Sequence, residues 1–344
     1  MVTVIDSSTG RLARLERLRA LMESAGVDTL LLRRHANFAW YTGGADSRVD
    51  HASPLGVADV LVSADAERVI TNAIEAPRLR EEQTPELEVL EYPWHEGPDQ
   101  LLGELVGGGR LAADVALDGA ARLEADVAVL RRVLDADAIE RLRAVGADAV
   151  GALADAAAEL SPGMDEHQAA AIIASCCLRR DLHASVLLAA ADGRIARWRH
   201  PIPAGARIEG RAMLVVSAER GGLYANTTRF VNFEDPGPEL RRRQGACDEI
   251  LSRMREEATV PGRTLADAFV SCTGFYADAG FPDEWRLHHQ GGMTGYGSRE
   301  VIATPSTEDQ IEVGQAFAWN PSVTGAKAEE TFVLLDSGPE VVTA

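Results

Sequence analysis

A chain of 344 residues with 46% hydrophobic side chains is long enough for two domains, each with its own core. Its formal net charge of −19 argues against a nucleic-acid partner, because neutralising phosphates needs basic stripes, and its acidic residues read as a solvated surface. No run of about 18 apolar residues occurs, and the opening MVTVIDSSTGRLARL lacks a signal-peptide core, so no membrane association and a cytoplasmic location are expected.

Residues 11–25 (RLARLERLRALMESA) place Leu12, Leu15, Leu18, Leu21 and Met22 at helical spacing, and Gly26 supplies a stop. A strand is expected at 28–33 (DTLLLR). VADVLVS and ERVITN, joined by a polar ADA turn, then predict a hairpin. Helical and extended stretches alternate as far as residue 118, which describes a mixed α/β domain. DADAIERLRAVGADAVGALADAAAEL (135–160) predicts a long helix with Ile139, Leu142, Val145, Val150 and Leu153 on one face and Asp135 or Asp137 as its cap. The boundary is placed here, dividing the chain into domains 1–134 and 135–344.

An echo follows. SPGMDEHQAAAII (161–173) and VPGRTLADAFVSC (260–272) each carry Pro-Gly, then two residues later a helix-capping Asp or Thr. Each lies between two helical stretches and precedes strand-like segments, as a duplicated helix–helix–strand–strand unit would. Cys176, Cys177, Cys247 and Cys272 show neither a CxxC pair nor a metal-finger spacing, which fits buried thiols in a reducing compartment.

Four segments carry chemistry: RWRHPIP (197–203), GLYANTTRFV (222–231), LHHQGGMTGYGSRE (287–300) and AWNPSVTGAKAEET (318–331). His200 has an imidazole suited to giving and taking a proton near neutrality. His288 and His289 are adjacent, and neighbours on a strand point to opposite faces, so one of them is expected to face a pocket. Arg299 can grip a carboxylate bidentately. Glu329 has Lys327, the only lysine of the chain, two residues before it, and Glu330 should face away by alternation.

The order and spacing of these segments resemble the pita-bread family of creatinase, prolidase and the Xaa-Pro and methionine aminopeptidases. The resemblance implies an α+β protein: a small N-terminal creatinase-like α/β domain, then a pita-bread domain with a pseudo-two-fold ααββ repeat. The family's aminopeptidases hold two metal ions with two Asp, one His and two Glu. In the matching positions this chain offers Val215, Asn226, His288 (or His289), Asn320 and Glu329. An amide brings an oxygen but no charge and valine brings no donor, so no metal and no cofactor is expected. His200 matches the histidine that shuttles a proton in creatinase, which works without metal. Registering on His288 puts Arg299 where creatinase places a substrate-carboxylate arginine and leaves Gly295 where the peptidases have a second histidine.

On this resemblance His200, His288 and Glu329 are the expected catalytic residues. Asn226, Thr228, Arg229, His289, Tyr296, Arg299 and Asn320 are the expected substrate contacts. Arg48 and His51 join them on the analogy of creatinase-like homodimers, whose N-terminal loops enter the neighbour's site, so a homodimer is expected. The expected function is metal-independent hydrolysis of a C–N bond in a small polar, carboxylate-bearing amidine, guanidine or cyclic amide. One alternative is a metal-free lyase, cyclase or isomerase using the same histidines. Others are a non-catalytic pseudoenzyme and an atypical Xaa-Pro metallopeptidase with a mononuclear site built from His288, Glu329 and an amide.

Overall fold

A computed structural model describes residues 7–344; residues 1–6, the start of the stretch expected to lack a signal-peptide core, lie outside the described residues. The chain divides into two compact units, one ending at Asp137 and one spanning Ala138–Ala344. Among the described residues no helix is long and apolar enough to cross a membrane.

The first unit is built on a six-stranded mixed sheet: β1 (Thr29–Arg34), β2 (Leu55–Ser63), β3 (Glu67–Asn72), β4 (Glu88–Tyr92), β5 (Leu111–Ala113) and β6 (Ala121–Arg122), in the order β4-β3-β2-β1-β5-β6. The predicted hairpin forms, with β2 and β3 antiparallel. The first helix, Ser7–Ala25, buries Leu15, Leu18 and Met22 but leaves Leu12 exposed, and Arg14 takes an interior place instead. Arg14 tolerates burial because Asp135 and Asp137 accept from its guanidinium at 2.8 and 3.5 Å. The same two carboxylates, one of which is expected to cap the next helix, stand just before and within its first turn.

The second unit opens with the predicted long helix, Ala136–Glu159. Leu142, Val145 and Leu153 are buried as expected, whereas Ile139 and Val150 are only half-buried. Ala138, Gly146, Ala149, Ala152 and Ala156 complete the inner face. Small residues let backbones approach closely there, since a Cβ on Gly146 would collide with the Val342 carbonyl.

The repeat is real and is visible in matched hydrogen bonds. Asp165 and Thr264 cap the helices Glu166–Leu178 and Leu265–Asp278, each through a capping box. Ahead of them Gly163 and Gly262 adopt positive φ (93° and 84°) and donate to the carbonyls of Ile208 and Ile311 at 2.8 and 2.9 Å. Each half contributes an antiparallel sheet. The first has β7 (His183–Ala191), β8 (Arg211–Arg220) and β9 (Leu223–Asn232), in that order. The second has β10 (Gly291–Thr294), β11 (Val301–Ile302), β12 (Ala316–Trp319), β15 (Glu330–Leu335) and β16 (Gly338–Val341), ordered β11-β10-β12-β15-β16. A small hairpin of β13 (Ser322–Val323) and β14 (Ala326–Lys327) interrupts the second. The halves meet where the Asn226 amide donates to Thr331 Oγ1 at 2.8 Å and the Tyr224 amide to the Gly295 carbonyl at 2.9 Å. The α+β class and the pita-bread architecture stand.

Candidate active site

The two sheets enclose a cavity of about 330 Å³. The first half supplies an apolar wall (Val186, Leu188, Ile202, Val215) with Ser217 and Asn226; the second supplies His289, Arg299, Asn320, Lys327 and Glu329; His200 stands at the edge. A larger groove of about 520 Å³ shares Lys327 and Glu329 but is lined by none of the histidines, so the smaller cavity holds the acid–base groups.

Lys327 reaches the cavity because the β13–β14 hairpin turns at Thr324–Gly325, Gly325 having a φ of 84°. Residues two apart on extended chain share a face, so Lys327 and Glu329 point the same way. Glu330 turns to Arg255, whose Nη1 donates to it at 2.5 Å. Glu329 is nearly sealed, its side chain 4% exposed. It accepts from Lys327 Nζ (2.8 Å), Thr228 Oγ1 (2.6 Å) and Arg299 Nη2 (3.1 Å). Burial pushes its carboxyl up, but the ammonium and guanidinium outweigh burial and hold it at about 2. The three groups together carry one net positive charge.

His200 follows the short helix Gly193–Arg197 and the exposed Trp198, and sits between the half-buried Arg199 and the buried Pro201. Arg199 pairs with Glu284 and donates to Thr324 Oγ1 at 3.2 Å, and Glu284 also accepts from the Thr324 amide at 3.0 Å. This triad fastens together the loop of His200, the turn preceding His288 and the hairpin of Lys327. Its three members were not among the expected site residues; only their place beside the motifs hinted at them.

His288 and His289 lie between the turn Glu284–Leu287 and β10, outside the strand pairing that begins at Gly291. Strand alternation therefore does not govern them, yet of the two it is His289 that lines the cavity, while the buried His288 is not part of its wall. His288 Nε2 lies 2.9 Å from His200 Nε2, one donating and the other accepting. The ring of His289 lies 4.6 Å from that of His288 and 5.7 Å from that of His200. Gln290 sets the bend: its Nε2 donates to the His288 carbonyl at 2.6 Å while its Oε1 accepts from Tyr276 at 2.7 Å. Gly291 and Gly292 are required here, because a Cβ on either would collide with the Ala318 or Val301 carbonyl. All three imidazoles are held below their usual range, first by burial. Lys327 adds to this for His288, pushed down to about 2, and for His200; Arg299 does so for His289, down to about 4.

Asn226 and Asn320 are buried and line the cavity. Asn226 Nδ2 donates to Thr294 Oγ1 at 3.5 Å, while Asn320 Oδ1 finds no hydrogen-bond partner among the described residues. Other expected contacts are placed elsewhere. Arg229 is exposed and, like Thr228, lines the larger groove. Tyr296 is buried with its hydroxyl accepting from Arg141 at 2.8 Å. Arg48 belongs to the first unit, where Asp46 accepts from it at 3.0 and 2.9 Å. Arg299 is committed to Glu329 and the Ser298 carbonyl, so it does not stand ready for a substrate carboxylate alone.

A creatinase-like first unit followed by a pita-bread unit with this cavity is the architecture of the prolidases and their relatives. Residues 14–145 match the creatinase/prolidase N-terminal domain and residues 140–336 match metallopeptidase family M24; the chain belongs to that family. No curated protein matches it in sequence. Among solved structures, the prolidase from Pyrococcus horikoshii is 16% identical with a TM-score of 0.79, covering 96% of this chain and 98% of its own. The dipeptidase PepE from Mycobacterium ulcerans is 20% identical with a TM-score of 0.77, covering 99% and 97%. The X-Pro aminopeptidase from Thermotoga maritima is 18% identical with a TM-score of 0.77, covering 93% and 96%. At these identities the likeness is one of fold.

The expectation of metal-independent hydrolysis of an amidine, guanidine or cyclic amide is overturned by the metallopeptidase match over 140–336 and the prolidase-type neighbours. The family's two-metal centre, however, does not fit the residues present. Val215 presents methyl groups to the cavity, Asn226 and Asn320 bring no charge, and Glu329 is saturated by Lys327, Arg299 and Thr228. In the mononuclear alternative built on His288, Glu329 and an amide, Glu329 would have to loosen its hold on Lys327, Arg299 or Thr228 to reach an ion.

Proposed function

We propose that this chain is an atypical Xaa-Pro-type metallopeptidase that hydrolyses the C–N bond of a short peptide. The observation that carries the reading is the convergence of the metallopeptidase-matched residues 140–336 on one cavity with neutral imidazoles and a net positive floor. A volume of about 330 Å³ is at the small end for ligand pockets, which suits a dipeptide or tripeptide. The single excess positive charge of Lys327, Arg299 and Glu329 attracts the substrate's carboxylate, and the wall of Val186, Leu188, Ile202 and Val215 accepts an apolar ring such as that of proline. His200, half-open to solvent and neutral at pH 7, presents its imidazole at the cavity edge, where it positions the attacking water directly or through a bound ion. His288, hydrogen-bonded to it at 2.9 Å, fixes the orientation of that ring.

The test is hydrolysis of a panel of Xaa-Pro dipeptides by protein supplied separately with zinc, manganese or cobalt. Peptides with a free carboxyl terminus should be cleaved, and their C-terminal amides about 10-fold or more slower, because the amide forfeits a charge-assisted contact of about 1.5–3 kcal/mol. Lys327→Met should raise KM more than it lowers kcat. Failure to cleave any member of the panel under every metal condition sinks the reading.

A further inference from the structure

We infer that His200, His288 and His289 form a mononuclear site for a divalent transition-metal ion of the zinc or cobalt type, replacing the two-metal centre whose ligands this chain lacks. The inference deepens the peptidase reading and rests on it only for what the ion is used for. Among the described residues these three are the one group of three or more His, Cys, Asp or Glu side chains whose ligand atoms all lie within 4.8 Å of one another. Tetrahedral zinc with Zn–N distances of about 2.0–2.1 Å requires nitrogens about 3.3 Å apart. His288 Nε2 and His200 Nε2, 2.9 Å apart, need to separate by only a few tenths of an ångström. Three neutral imidazoles with an open fourth position are the donor set of a catalytic rather than a structural zinc site.

The surroundings agree. His200 is exposed at the cavity edge, so an ion has a route in, while His288 is 8% exposed and anchors the inner side. The orphaned Asn320 Oδ1, on the wall of the same cavity, is a buried acceptor that a metal-bound water could satisfy. Two features limit affinity. His288 Nδ1 and His289 Nδ1 have no hydrogen-bond partner among the described residues, so no carboxylate behind them raises their basicity. Lys327 and Arg299 leave a net positive charge close by, only partly offset by Glu329.

These opposing influences set the experiment. Metal-free protein is titrated with cobalt(II), followed by the visible absorption of tetrahedral cobalt, and zinc stoichiometry is counted by elemental analysis after equilibrium dialysis. One equivalent per chain is expected. His200→Ala, chosen because this exposed loop residue is dispensable for packing, should weaken binding at least 100-fold, and so should His289→Gln. Lys327→Met should tighten binding several-fold by removing the adjacent cation. Absence of saturable binding at millimolar metal, or binding unaffected by His200→Ala and His289→Gln, overturns the site. Peptide cleavage without one-to-one metal binding would leave the peptidase reading and remove this site. Stoichiometric binding on these histidines without cleavage of any peptide would do the reverse.

Discussion

The two halves of the pita-bread unit are built alike and furnished differently. Capping boxes at Asp165 and Thr264, glycines at 163 and 262 and the carbonyl contacts to Ile208 and Ile311 repeat almost bond for bond. Inside the cavity, the first half contributes Val186, Leu188, Ile202, Val215, Ser217 and Asn226, with His200 its only titratable group, while every formally charged side chain comes from the second. A pseudo-symmetric frame therefore does not require pseudo-symmetric chemistry. Once Val215 and Asn226 stand in the first half, a carboxylate in the second needs a different partner. Lys327 and Arg299 are those partners, both drawn from the second half itself.

The largest effect should come from breaking that partnership. Glu329→Gln leaves two buried cations without a counter-charge, which should destabilise the fold by about 3–5 kcal/mol in urea unfolding at pH 7. Lys327→Met should cost less, since Arg299 and Thr228 still satisfy the carboxylate. The pH dependence follows from the sign of the shift. A carboxyl held at about 2 in the folded chain against its ordinary value contributes stability that is fully present above about pH 4.5 and lost as pH falls toward 2. The gap between the parent and Glu329→Gln should accordingly shrink as pH is lowered from 5 to 3. A constant gap would mean that shape rather than charge is what Glu329 supplies.

The glycines offer a second, smaller contrast. Gly163→Ala and Gly262→Ala each meet open space, so only the positive φ opposes them, at about 1–2 kcal/mol apiece and equally in both halves. Gly291→Ala faces both a φ of 101° and the Ala318 carbonyl, and should lose about 2–5 kcal/mol. If Gly291→Ala proves as mild as the other two by thermal unfolding, β10 and β12 are less tightly apposed than described.

The frame was legible in the sequence because its signals are local. Pro-Gly-x-Asp and Pro-Gly-x-Thr announce caps, and Leu142, Val145 and Leu153 announce a buried helix face. What stayed hidden was set by tertiary context. Alanines at 138, 149, 152 and 156 do not stand out by type in so alanine-rich a helix, yet they complete that face. Arg14 reads as solvent-facing until Asp135 and Asp137 arrive from more than a hundred residues away. Strand alternation cannot choose between the two histidines, because the ladder starts only at Gly291, and it is His289 rather than His288 that lines the cavity. Lys327 stood out by being the only lysine, but its meeting with Glu329 and Arg299 depends on a two-residue turn that spacing alone does not orient.

The smallest effect tests the symmetry itself. Asp165 Oδ1 accepts from the Gln168 backbone N–H at 2.9 Å, and the Asp165 backbone N–H donates to Gln168 Oε1 at 2.9 Å; Thr264 and Asp267 exchange the same bonds at 3.0 and 2.9 Å. Each cap satisfies two amides that the helix leaves free, so Asp165→Ala and Thr264→Ala should each cost about 1 kcal/mol. The caps share no partner and sit in separate cores, so the double variant should lose the sum to within about 0.5 kcal/mol. Asp165 also places a negative charge at the helix N-terminus, which Thr264 does not, although Asp267 restores it three residues on. Added salt should therefore narrow the Asp165→Ala loss and leave the Thr264→Ala loss nearly unchanged. A loss confined to one half would show that the repeat is kept as shape while its stability has drifted toward one side, as its chemistry has.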